Sequence, residues 1–106
     1  MTTYKQKFNK KFGFDKDASH SQNELNKLTG ISKKDLQEIF DRGSSAFYNN
    51  PSSVRKSVKS AEQWSIARQY AFIMKTYDGI KNNKEKINQD NQLYLKYKKK
   101  GLKNKT

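Results

Sequence analysis

Proton transfer and metal ligation near neutral pH fall most often to histidine, and the chain has one, His20. It has no cysteine, which removes thiolate metal sites and disulfides together. No carboxylate cluster accompanies His20 in sequence, so no metal site is expected there. Asp15 and Asp17 are paired, but they lie in a polar, lysine-rich stretch that gives no cause for a raised pKa. No spacing suggests a Ser-His-Asp arrangement, and the glycines do not form a phosphate loop. The expectation is a protein with no catalytic residues, no metal, no cofactor and no small-molecule substrate. It is not expected to be an enzyme in its own right.

The chemistry that the residues do carry is anion binding. Lys and Arg number 23 against 10 Asp and Glu, a formal charge of +13 in 106 residues. Such an excess repels itself in a compact monomer unless anions screen it. Nucleic acid, an anionic membrane and an acidic protein surface are the candidate partners, and nucleic acid is the commonest. The charge is unevenly placed: residues 1–17 carry +3, 18–43 are neutral, 44–79 carry +3 and 80–106 carry +7. The best-patterned stretch is therefore neutral, and the excess lies in what flanks it. No signal peptide and no run long and apolar enough to span a bilayer is visible, so the expected setting is intracellular or within a virion.

The elements that must position these charges are helices. Tyr4, Phe8 and Phe12 recur every four residues, with Gly13 as a stop, so they form one stripe of a first helix. Packing on the core is the favoured role for that stripe. A basic aromatic arm stacking on bases is the alternative. Ser21 with Glu24, Ser32 with Asp35 and Ser60 with Gln63 have the spacing of capping boxes. The first opens a short helix bearing Leu25 and Leu28, turned by Gly30. The second opens a helix bearing Leu36, Ile39 and Phe40, which Gly43 is expected to end. Residues 44–59 read as a connector, with a turn at Asn49-Asn50-Pro51. The third opens the longest helix, near 61–77, with Trp64, Ala67, Ala71 and Met74 as its stripe, Tyr70, Phe72 and Ile73 widening it, and Gly79 as its end or a break. Residues 80–92 read as an exposed helix or linker, and the lysine-rich remainder as a basic tail, normally disordered until bound.

Residues 24–39 resemble the helix-turn-helix of bacterial repressor-type regulators, with Leu28-Thr29-Gly30-Ile31-Ser32 as the turn. The resemblance implies that the N-terminal end of the second helix enters the major groove, so that Ser32, Lys33, Lys34 and Gln37 face DNA. Glu38 and Asp41 would set negative charge near a polyanion, and Asn26 departs from the small residue usual at that turn. The alternative is a structural hairpin whose second helix meets protein.

Three further stretches act together: Lys11-Phe12-Gly13-Phe14-Asp15-Lys16, residues 41–55 with Asn50-Pro51-Ser52-Ser53-Val54-Arg55, and Ser60–Arg68 with Glu62-Gln63-Trp64. Their order, over residues 11–75, resembles a small uncharacterised basic domain of large DNA viruses and some phages. That resemblance implies a viral setting, near the genome or the virion, and no activity. Arg42, Arg55 and Arg68 are the only arginines, and Arg is chosen over Lys where a planar fork must fit a fixed geometry. Arg42 and Arg68 are expected to pair internally with Asp41, Glu62 or backbone carbonyls, and Arg55 is left open.

The reading is an all-α fold: a helical domain over 1–79 with a helix-turn-helix-like hairpin and a longer central helix, then a lysine-rich extension over 80–106. The expected function is nucleic-acid binding, with DNA foremost, through Ser32, Lys33, Lys34, Gln37, Arg55, Lys56, Lys98, Lys99, Lys100 and Lys103. The alternative is a minor capsid protein cementing larger capsid proteins, with Tyr94, Leu95 and Tyr97 buried against a partner.

Overall fold

The computed structural model describes residues 2–49 and 60–103. Among these residues the fold is all-α, with helices α1 (Tyr4–Phe12), α2 (Gln22–Thr29), α3 (Lys33–Asn49), α4 (Ala61–Lys81) and α5 (Asn91–Lys100). They form one compact unit around α4. The turn at Asn50-Pro51, together with Arg55 and Lys56, lies outside the described residues.

The expected caps are present. The hydroxyls of Ser21, Ser32 and Ser60 accept from the amides of Glu24, Asp35 and Gln63. Each satisfies a helix-start donor that would otherwise be orphaned. Helix α1 has a full capping box between Thr3 and Gln6, which the sequence reading did not single out. Gly30 takes the left-handed conformation, with φ 84°, that turns α2 into α3.

Gly43 and Gly79 do not end helices. Helix α3 runs on to Asn49, so the first residues of the expected connector are helical, and α4 runs on to Lys81. The physical reason is close approach. A Cβ on Gly43 would lie 2.9 Å from Ser65 Cα, and one on Gly79 would lie 2.5 Å from the Tyr94 ring. The two glycines mark where α3 and α5 cross α4. The cost of a helical glycine, about 1 kcal/mol relative to alanine, is set against packing that no larger residue permits.

The buried face of α4 is centred on Tyr70, Phe72 and Ile73, the residues expected to widen the stripe, and not on the stripe itself. Trp64, Ala67, Ala71 and Met74 are only half-buried, while Ser65, Gln69, Tyr70, Phe72, Ile73 and Thr76 are buried. The polar members are satisfied in place. Ser65 and Thr76 donate to Ala61 O and Phe72 O one turn back, each at 2.7 Å. Gln69 Nε2 donates to Leu36 O at 2.8 Å and Gln22 Oε1 at 2.9 Å.

Helix α1 packs as expected. Phe8 is fully buried, Phe12 nearly so, and the Phe8 ring meets Tyr70 edge-on at 5.4 Å. His20 lies beside the cap of α2, with Nδ1 2.9 Å from Glu24 Oε1 and Nε2 2.6 Å from Asn9 Oδ1. Asn9 in turn donates to the carbonyls of Lys16 and Ala18, so the pair fastens the α1–α2 loop.

The largest departure is the C-terminal segment. Residues expected to form a linker and tail complete the core instead. Leu93, Tyr94 and Tyr97 of α5 are buried, both tyrosines fully. Their spacing is that of one helical face, and Lys98, Lys99 and Lys100 occupy the last turn, where cations suit the helix dipole. A boundary at 79/80 would cut through α4.

Candidate nucleic-acid interface

Two cationic segments far apart in sequence adjoin in the fold. The α2–α3 turn lies against the last turns of α5 and the residues that follow. The Ser32 amide donates to Tyr97 Oη at 3.0 Å, and the Lys103 amide donates to Thr29 O at 2.9 Å. Lys103 also lies against Gly30, and its Nζ is 3.4 Å from Lys27 O. Tyr77 Oη, whose phenol burial pushes up to about 12, donates to Lys103 O and pins residues 101–103 to α4.

This junction is fixed by a buried carboxylate. Asp35, in the first turn of α3, accepts from Lys96 Nζ at 2.7 Å and from Tyr97 Oη. Burial alone pushes the Asp35 carboxyl up. Hydrogen bonds from Lys96, Tyr97 and Ser32, with the Lys96 charge, outweigh it and hold the group below the usual carboxylate range. The same contact raises Lys96.

The second buried carboxylate is Asp90, just before α5. It accepts from Arg42 Nη1 at 3.0 Å, Arg68 Nη2 at 3.0 Å and Arg68 Nε at 3.2 Å. Arg42 also meets Glu38 at 3.2 Å, and the Asp90 bond followed by these nearby charges raises it despite some burial. Both arginines thus pair internally, with Asp90 and Glu38 in place of Asp41 and Glu62; of the expected backbone carbonyls, Arg42 O accepts from Arg68 Nη1 at 3.5 Å. Asp90 ties α3, α4 and α5 together. Its partners lie too far along the chain for local spacing to show it.

The sequence-predicted site residues separate into two groups. Lys33, Lys34, Lys99, Lys100 and Lys103 are exposed, and none is in an ion pair among the described residues. Lys33 and Lys34 follow the Ser32 cap directly, and Lys100 Nζ lies 6.0 Å from the Tyr97 ring. Together with Lys103 they belong to the junction. Ser32, Gln37 and the half-buried Lys98 are engaged within the chain, and Lys103 Nζ has only the long contact to Lys27 O. Ser32 is a cap; Gln37 binds Gln22 and Asp41; Lys98 Nζ donates to Lys84 O at 2.6 Å. Asn26, the departure from the usual hairpin pattern, donates from Nδ2 to Ile31 O at 2.7 Å and so braces the turn.

Among the described residues no group of histidine and carboxylate side chains is placed to hold a metal, and no helix is long and apolar enough to cross a membrane. The fold and this surface define a small all-α domain with a cationic junction. The chain belongs to a family of unknown function, DUF5824, whose model matches residues 1–94 and so ends inside α5. No curated protein and no solved structure matches it.

Proposed function

We propose that the chain is a non-enzymatic nucleic-acid-binding accessory protein that holds duplex DNA on the junction of the α2–α3 turn with α5. The observation that carries this reading is that the Ser32–Tyr97 and Lys103–Thr29 bonds bring the start of α3, with Lys33 and Lys34, beside the end of α5, with Lys100 and Lys103, all four exposed and none in an ion pair among the described residues. Of the nearby carboxylates, Asp35 is buried in an ion pair with Lys96, Glu38 pairs with Arg42, and Asp41 accepts from Gln37. Ammonium groups on a rigid helical frame bind phosphate largely by counterion release, with affinity falling steeply with salt. Ser32 and Gln37 are committed internally, which favours backbone contact over base reading. The viral setting, genome- or virion-associated, rests on the resemblance carried by residues 11–75.

The test is duplex binding across a salt series. Cutting the chain before α5 would strip Tyr94 and Tyr97 from the core, so charge reversal is the sound comparison. The triple variant Lys33→Glu, Lys34→Glu, Lys100→Glu is expected to weaken binding and flatten the salt slope by about one per lost phosphate contact. Wild-type protein that fails to bind duplex at low salt overturns the reading. The capsid-cementing alternative loses two of its three contact residues, because Tyr94 and Tyr97 are filled by the chain's own core and only Leu95 is exposed.

A further inference from the structure

Away from the junction residues, the first turn of α1, helix α4 and the α4–α5 loop line an open groove of about 530 Å³. Its volume is within the range that accommodates small ligands. Four lysines line it, Lys7, Lys75, Lys84 and Lys86, against one carboxylate, Asp78. That carboxylate is already neutralised: Lys84 Nζ lies 2.6 Å from it, and this contact holds Asp78 below the usual range. Met74 and Ile87 supply apolar surface.

Tyr4 stands in the groove. It is the first member of the α1 aromatic stripe, but where Phe8 and Phe12 are buried, Tyr4 is 38% exposed. Lys7 Nζ lies 5.1 Å and Lys75 Nζ 5.6 Å from its ring centroid. An exposed ring flanked by ammonium groups is the combination that binds single strands: the ring takes a base face and the cations take the phosphates on either side. An exposed cation–π contact is weaker than base stacking on the same ring, so a base displaces the lysines toward those phosphates. A duplex offers no unstacked base, which separates this groove from the junction in the partner it fits.

We propose that the groove between α1 and the α4–α5 loop binds a single-stranded nucleic-acid segment, with one base stacked on Tyr4 and its neighbouring phosphates on Lys7, Lys75 and Lys86. The proposal rests on the nucleic-acid reading of the chain but uses a different face, so the two can fail separately. The test is anisotropy of a labelled oligothymidine of roughly ten nucleotides with the full chain, beside an abasic oligomer of equal length and a duplex. Wild-type protein binds oligothymidine more tightly than the abasic strand. Tyr4→Ala weakens oligothymidine binding roughly tenfold, erasing that preference, and leaves duplex binding and the melting temperature unchanged. Tyr4→Phe, which keeps the ring, keeps the preference. The Lys33, Lys34 and Lys100 reversals, conversely, weaken duplex binding and spare the preference for oligothymidine. Equal binding of the abasic and base-bearing strands, or a Tyr4→Ala variant with the preference intact, overturns the groove whatever the duplex result. Wild-type protein that keeps the oligothymidine preference but fails to bind duplex at low salt overturns the junction alone.

Discussion

Helix α5 is held at its start by Asp90 and along its later turns by Asp35, and the two carboxylates differ in their surroundings. Asp90 faces two guanidinium groups that reach it from α3 and α4, and its side chain is 2% exposed. Asp35 faces an ammonium whose side chain is about half exposed and a buried phenol. At one end the cations are consumed inside the fold. At the other, the junction leaves Lys33, Lys34, Lys100 and Lys103 at the surface. Arginine serves where the geometry is internal and fixed, lysine where the charge faces outward.

That contrast can be broken most forcefully at Asp90. Asp90→Asn leaves two guanidinium groups without their carboxylate and is expected to cost about 3 kcal/mol, read from urea denaturation. Asp90 also has φ 56°, in the left-handed region. Asp90→Gly relieves that backbone and is expected to remain as destabilised as the asparagine variant. A glycine variant of wild-type stability would show that the backbone, not the clamp, matters there. Gly79→Ala places a methyl group against the Tyr94 ring and is expected to cost about 1–3 kcal/mol as an overpacked core, measured the same way.

Asp35→Asn is expected to cost less, about 1–2 kcal/mol, because Tyr97 and Lys96 retain a neutral acceptor. Its pH dependence gives a second readout. A folded-state value below the ordinary 3.8 contributes stability that is fully present above 3.8 and lost as pH falls through the lower folded value. Acid melts of the wild type should therefore show this loss, and the asparagine variant should lack it. The smallest effect on stability belongs to Lys100→Glu: a loss of under about 1 kcal/mol from the helix C-terminus, with a several-fold weaker grip on duplex DNA at low salt. A marked drop in melting temperature would move Lys100 from the surface to the structural end of the contrast.

Much of this arrangement was legible in the sequence wherever cause and effect sit within one turn. The serines three residues ahead of Glu24, Asp35 and Gln63 cap as their spacing requires, and Gly30 turns the chain. The Phe8–Phe12 stripe packs because aromatics four apart share a face. What was hidden depends on partners distant in the chain. Gly43 and Gly79 resemble helix stops until Ser65 and Tyr94 are laid against them. Asp90 looks like one loop aspartate among asparagines until Arg42 and Arg68 arrive. Tyr94 and Tyr97 were obscured by their lysine neighbours, which follow the outer side of the helix they help to bury. The site followed the same division. Lys33, Lys34 and the α5 lysines could be named, but their adjacency could not, since it is made by Tyr97 and Lys103 across three helices.

The meeting of Phe8 with Tyr70 has a kinetic consequence. The two rings touch although α2 and α3 lie between them in the chain, whereas α3 and α4 are successive helices. Closing a long loop costs entropy before its contacts offset that cost. The α3–α4 pair is therefore expected to nucleate folding, with α1 docking after the rate-limiting barrier. Shortening Phe8 would accordingly accelerate unfolding and leave the refolding rate nearly untouched.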